Sequence, residues 1–134
     1  MLRLTDAQLA FVTERHLATL TTLRADGTPH VVPVGFTWDE IAGVTRTTTG
    51  PRSVKAANVR RAAESGRAAR AALCQVDGRR WLTLEGEITV VDEPGELADA
   101  LHRYAERYRP PRPGVERVVL RLAADRVMSS RDLR

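Results

Sequence analysis

Apolar and polar positions recur along this chain with two periods, and each change of period marks a new element. Thr5 followed by Gln8 has capping-box spacing, and Leu4, Leu9 and Val12 supply the apolar side of a short helix ending near Arg15. From His16 to Leu23 the residues alternate loosely and are rich in threonine, which predicts a strand. Ala25-Asp26-Gly27 provides a hairpin turn, and His30 to Trp38 is the returning strand. Pro33 inside it cannot donate to a ladder, so it belongs at an edge, a bulge or a gap in pairing. Gly35 strengthens the case for a bulge or for close approach by a flat ligand. Asp39-Glu40 turns the chain again into a third strand, Ile41 to Thr48.

The stretch from Thr47 to Asn58 then passes from strand to a Gly50-Pro51 turn to a helix over Ser53 to Arg61. An Ala/Arg-rich connection leads to a buried strand, Ala71 to Val76, containing Cys74 as a buried thiol. Asp77-Gly78 is a strong hairpin signal, and Arg80 to Val91 returns as the longest strand, with Glu85 and Glu87 on one face about Gly86. Pro94 opens a helix carrying Leu97, Leu101, Tyr104 and Tyr108 at helical spacing, which stops before the stiff connector Pro110-Pro111-Arg112-Pro113-Gly114. Val115 to Leu122 alternates as a last strand, with Val118, Leu120 and Leu122 on one face and Val119 and Arg121 on the other; the tail from Asp125 adds a short edge segment. Strands joined mainly by hairpins, with helices at three points, predict a mainly β fold with peripheral α-helices: a small antiparallel barrel in a single domain over residues 1–134. Side chains fill so small a barrel, so a sizeable ligand sits outside it, in a groove that two copies can share.

Composition narrows the partners. The formal charge is +4, yet only 4% of residues are aromatic and the cations are scattered, which disfavours nucleic acid. A phosphorylated cofactor or a polycarboxylate suits the charge better. One cysteine excludes an internal disulfide and fits a reducing cytoplasm, and no stretch reads as a membrane span. Three histidines without ligand spacing argue against a metal site.

Lys55 is the only lysine among 21 Lys+Arg residues. It stands in the first turn of a helix with Arg52 and Ser53, where free N–H groups and the positive helix end favour an anion. A basic first turn opposes the helix dipole, so it calls for a counter-charge such as phosphate; the other reading of Lys55 is an ordinary exposed cation on a surface helix. Arg60 and Arg61 would extend the cationic track. Arg107, Arg109 and Arg112 beside Tyr108 offer carboxylate forks next to a stacking surface, although cations suit a helix C-terminus whatever binds there. His16 and His102 read as surface or packing residues.

The runs 16–36, 55–58, 73–86 and 103–113 together resemble the split β-barrel flavin/deazaflavin oxidoreductases, the pyridoxamine-phosphate-oxidase-like superfamily, and most of all its actinobacterial deazaflavin-dependent biliverdin reductases. The resemblance implies a split β-barrel homodimer with active sites along the subunit interface and reduced coenzyme F420 as hydride donor; FMN, or a non-catalytic F420 carrier, is the alternative. It places the cofactor phosphate on Arg52, Ser53, Lys55 and Asn58 and the ring along His30, Val32, Pro33, Val34, Thr47 and Thr48, with Trp81 capping the pocket or reaching in from the neighbouring subunit. Arg107, Arg109 and Arg112 would take the carboxylates of biliverdin. Hydride transfer needs no protein nucleophile, so no catalytic residue is nominated, and His30 is a weak proton-donor candidate. Around Gly50-Pro51 and again between Asn58 and Ala71 the chain reads as longer than those reductases, and the resemblance carries no role onto the second of these segments.

Overall fold

The computed structural model describes residues 2–134. It contains α1 (Asp6–Thr13), β1 (Ala18–Leu23), β2 (Pro29–Val34), β3 (Thr37–Asp39), β4 (Val44–Thr49), α2 (Val54–Glu64), β5 (Ala69–Asp77), β6 (Arg80–Val91), α3 (Pro94–Arg107) and β7 (Val118–Ser129), closed by a 3-10 turn, Arg131–Leu133. All seven strands form one antiparallel sheet in the order β2-β1-β5-β6-β7-β4-β3. The two end strands are consecutive in the chain and are separated by only Gly35 and Phe36, which curls the sheet into a split barrel.

The expected return strand from His30 to Trp38 is therefore two strands: its first half pairs with β1, its second with β4. Pro33 lies on β2, which pairs on one side only, as a proline in a strand requires. Gly35 marks the break for a specific reason. A Cβ there would stand 3.0 Å from Cε2 of Tyr104 and 3.2 Å from Cε2 of Tyr108, so the close approach comes from the protein's own tyrosines.

Two further expectations need correcting. The third strand starts at Val44, because Asp39 Oδ1 accepts the N–H groups of Ile41 and Ala42 at 3.0 Å and holds those residues in a turn. The tail from Asp125 continues β7 past the end of its pairing with β4, so residues 126–129 pair with β6 alone and form the expected edge segment, in a register that shifts at Glu85/Gly86. Cys74 is half-buried rather than enclosed, since β5 turns Ala71, Leu73 and Gln75 to the core and Cys74 to the other face.

Phe11, Leu20, Phe36, Leu73, Leu84 and Leu120 anchor the core. α1 has the capping box expected of it, with Thr5 Oγ1 accepting from Gln8 N at 3.0 Å, and Thr5 also donates to the carbonyl of Leu133 at 2.5 Å. α3 is fixed across β3 and β4 by buried Arg46, whose Nε donates to Glu96 and whose Nη1 donates to Asp39, both at 2.8 Å.

Candidate functional site

The chain leaves its α3 helix at Arg107 and crosses back over the barrel as a proline-rich strap, residues 109–117. Together with the end of β2, Thr48 of β4 and the first turn of α2, the strap encloses an open cleft of about 400 Å³. Of the residues singled out in the sequence, Pro33, Val34, Thr48, Lys55, Arg109 and Arg112 line it. Gly35, Tyr104, Pro110, Pro111 and Arg117 line it too; the sequence pattern marks Tyr104 for a helix face and the prolines for a connector, and gives Arg117 no role.

Lys55 is half-buried, and burial alone pushes its ammonium below the ordinary lysine range. No carboxylate or carbonyl offsets that loss. The helix start beneath it is capped: Ser53 Oγ accepts from Ala56 N at 3.2 Å, and its hydroxyl hydrogen stays free to donate. Arg52 is exposed just ahead of the cap. On the strap, Arg117 Nη1 donates to the carbonyls of Arg112 (3.0 Å) and Val115 (3.4 Å), holding the loop in shape. The cleft thus gathers Lys55, Arg109, Arg112 and Arg117 with no acidic residue on its wall. Prolines and Val34 give it a flat apolar side, while Tyr104 stacks on Tyr108 with ring centres 4.9 Å apart.

The other nominated residues are elsewhere. Thr47 pairs with Leu120, and paired residues share a face, so Thr47 points into the barrel while its neighbour Thr48 points out. Val32 packs against the core, and His30 lies on that same inner side, its Nδ1 buried without a partner. Asn58 is buried and donates to Thr22 Oγ1 at 3.0 Å. Arg60 is tied to the carbonyl of Pro51, and Arg61 faces a different cavity, so neither extends the cationic track. Trp81, 36% exposed, opens β6 on the outer sheet surface, away from the cleft of its own subunit.

Arg107 is the plainest correction. Its Nε and Nη2 donate to the carbonyl of Glu14 at 2.9 and 2.6 Å, Nη2 also to Gln75 Oε1 at 2.6 Å, and Nη1 to the carbonyl of Phe36. Its guanidinium lies 4.5 Å above the Phe36 ring. Four of its five N–H donors are engaged by the fold and it does not line the cleft, so it holds the structure together.

Glu14, His16 and Asp77 come close enough to suggest a metal site, but Arg80 donates to both carboxylates and makes the group an ion-pair network. Arg80 and His16 hold the Glu14 carboxyl down at about 2.

A barrel split at Gly35, with a cationic cleft against its rim, places the chain in a definite class. The sequence profile of the pyridoxamine 5'-phosphate oxidase family matches residues 4–130, and the chain belongs to that family. Over 131 residues it is 50% identical to the F420H(2)-dependent biliverdin reductase of Mycobacterium tuberculosis (strain CDC 1551 / Oshkosh), an alignment spanning 98% of this chain and 91% of the relative. Among solved structures, the conserved hypothetical protein Rv2991 from Mycobacterium tuberculosis superposes with a TM-score of 0.77 at 27% identity, over 94% of this chain and 84% of that one. A structure described as an F420 reductase superposes with a TM-score of 0.67 over 89% and 94% of the two chains; at 23% identity it speaks for the fold alone.

Proposed function

We propose that the protein is an F420-dependent reductase that delivers a hydride to a conjugated acceptor, and that this acceptor is biliverdin, reduced to bilirubin. The observation that carries this reading is Lys55: a half-buried ammonium without a counter-charge, on the wall of a cleft that three arginines also face. Four cations around one opening repel one another until an anion enters. The 50% identity to a reductase named for F420 and biliverdin supports the same reading.

The residues fit a phosphorylated deazaflavin. Lys55, with Arg52 and the Ser53 hydroxyl at the start of α2, would hold its phosphate, and Pro33, Val34 and Thr48 would flank its flat ring. When bound and reduced, the deazaflavin supplies the hydride. Arg109, Arg112 and Arg117 would bind the acceptor's carboxylates, and Tyr104 would present a flat surface to its conjugated system. His30 faces inward and does not line the cleft, so the proton that accompanies the hydride comes from solvent.

A homodimer fits the sheet's outer surface. Cross-strand pairing brings Val31, Cys74, Val76, Trp81 and Met128 onto the face opposite the core, and Val31, Val76 and Met128 are 54%, 58% and 44% exposed. A second copy seated there would cover them and could bring its Trp81 to this chain's cleft.

Absorbance and fluorescence titration with F420 and with FMN, followed by turnover of biliverdin with reduced F420, tests the reading. Saturable F420 binding and cofactor oxidation on adding biliverdin are expected. Tighter binding of FMN would move the assignment to a flavin enzyme, and F420 binding without oxidation by any conjugated acceptor would make the protein a carrier.

A further inference from the structure

At the other end of α2 from Lys55 lies a second cavity, of about 430 Å³, that the proposed reaction does not use. The β1–β2 turn, the C-terminal half of α2 and the start of β5 form its walls, and Val59, Ala62, Ala69 and Ile88 give it an apolar floor. Arg24, Arg61, Arg67 and Arg70 stand around it.

These guanidiniums are not equivalent. Arg70 forks Asp125 through two 2.7 Å hydrogen bonds and is neutralised. Arg24 uses Nη1 on the carbonyl of Pro29 (2.6 Å) and on Thr28 Oγ1 (3.4 Å), which leaves Nε and Nη2 free. Arg61 donates from Nη1 to Asn58 Oδ1 at 3.1 Å, and Asn58 is itself held by buried Thr22 at 3.0 Å. That relay fixes Arg61 at the cavity while sparing its other donors. Arg67, in the turn after α2, makes no side-chain hydrogen bond or ion pair among the described residues. The lining carboxylate, Asp26, has Oδ1 committed to Thr28 N and Oγ1 at 3.0 and 2.6 Å. Three cations therefore face the cavity against one acid.

The helix dipole explains part of this, since cations suit the C-terminal end of α2, where Arg61 and Arg67 sit. It does not explain Arg24, which arrives from a separate hairpin. Guanidiniums converging over an apolar floor match planar acidic groups attached to an apolar body. A compact inorganic anion would leave the floor unfilled.

We propose that this second cavity is a binding site for a small organic dicarboxylate with an apolar frame, separate from the Lys55 cleft. The inference does not depend on the identity of the redox cofactor.

Naphthalene-2,6-dicarboxylate, titrated by its fluorescence into the full chain without deazaflavin, is the probe. The expected result is saturable one-site binding that weakens with salt, falls by about tenfold or more in both Arg67→Ala and Arg67→Glu, and falls similarly when 2-naphthoate replaces the dicarboxylate. Arg67 is exposed and unpartnered, so both variants should melt with the wild type. Lys55→Ala should leave the affinity within about twofold, because additivity holds for separated sites. Absence of saturable binding to the wild type would overturn the proposal. So would wild-type affinity in Arg67→Glu, equal binding of the monocarboxylate, or loss of binding in Lys55→Ala, which would put the probe in the first cleft.

Discussion

Two half-buried cations stand on either side of the strap and meet opposite treatment. Burial pushes both Arg107 and Lys55 below their ordinary ranges. Around Arg107 the chain has assembled two backbone carbonyls from different segments, a glutamine oxygen and an aromatic face. Around Lys55 it has assembled no counter-charge, and the other charged residues lining the cleft are cations. The difference separates a charge that the fold uses from a charge that the fold tolerates. Arg107 ties the end of α3 to the end of α1 and to the β2–β3 break, whereas Lys55 lowers stability until something anionic reaches it.

The comparison is tested most severely at Arg107. Arg107→Met keeps much of the side chain's bulk but strands the carbonyls of Glu14 and Phe36 and Gln75 Oε1, and should cost about 3 kcal/mol of stability in a denaturant titration. A loss of F420 affinity without a loss of stability would return Arg107 to the substrate-binding group. Lys55→Ala should behave in the reverse way: melting unchanged or slightly raised, cofactor affinity lower by about 1.5–3 kcal/mol. Its pH dependence follows from the direction of its shift. The ammonium must be charged to hold phosphate, so affinity is full at neutral pH and falls as pH rises through a value below the ordinary 10.5, a fall that Lys55→Arg should remove. An unchanged dissociation constant for Lys55→Ala would remove the proposed anchor.

A smaller effect concerns the wall between the two cations. Gly35→Ala puts a methyl group 3.0 Å from the Tyr104 ring, which must shift toward the cleft or away from it. A cost of about 1–2 kcal/mol in stability is expected, with a change in acceptor KM exceeding the change in cofactor affinity. Equal changes in both would mean that Tyr104 faces the cofactor.

What sequence could show of this site depended on scale. Hairpin signals at Asp26-Gly27 and Asp77-Gly78, the capping box at Thr5 and the proline at the start of α3 are local, and each element formed close to where it was expected. Lys55 was legible because a single lysine at a helix start violates a local rule. The sorting of its neighbours was not local. Thr47 and Thr48 have the same side chain, and only the register with Leu120 and Val119 decides which one faces inward. Arg107, Arg109 and Arg112 form one basic run, yet α3 ends after Arg107, so one guanidinium turns back under the helix while the other two ride on the strap. Arg117 reaches the cleft only because the strap loops back from Gly114, where φ is +75°. The length of β7 was hidden because Ala123 to Arg126 breaks the alternation opposite the Glu85/Gly86 irregularity.

The smallest expected effect checks whether the Arg107 knot is independent of the exposed charges beside it. Glu14 takes part in both: its backbone carbonyl accepts from Arg107, and its carboxylate accepts from Arg80 and lies 2.9 Å from His16 Nε2. The carboxyl titrates near 2 in the folded chain against 4.5 for an unperturbed glutamate, so its contribution is complete above about 4.5 and is lost as pH falls toward 2. Because the pair is largely solvent-exposed, screening reduces that contribution to less than about 1 kcal/mol. Glu14→Gln should therefore flatten the acid limb of the stability profile by that amount and leave neutral-pH melting close to wild type, since the carbonyl that Arg107 needs is untouched. If Glu14→Gln instead cost as much as Arg107→Met, the knot would owe its strength to the surface ion pairs, and the contrast between a cation the fold uses and one it tolerates would have to be redrawn around Arg80.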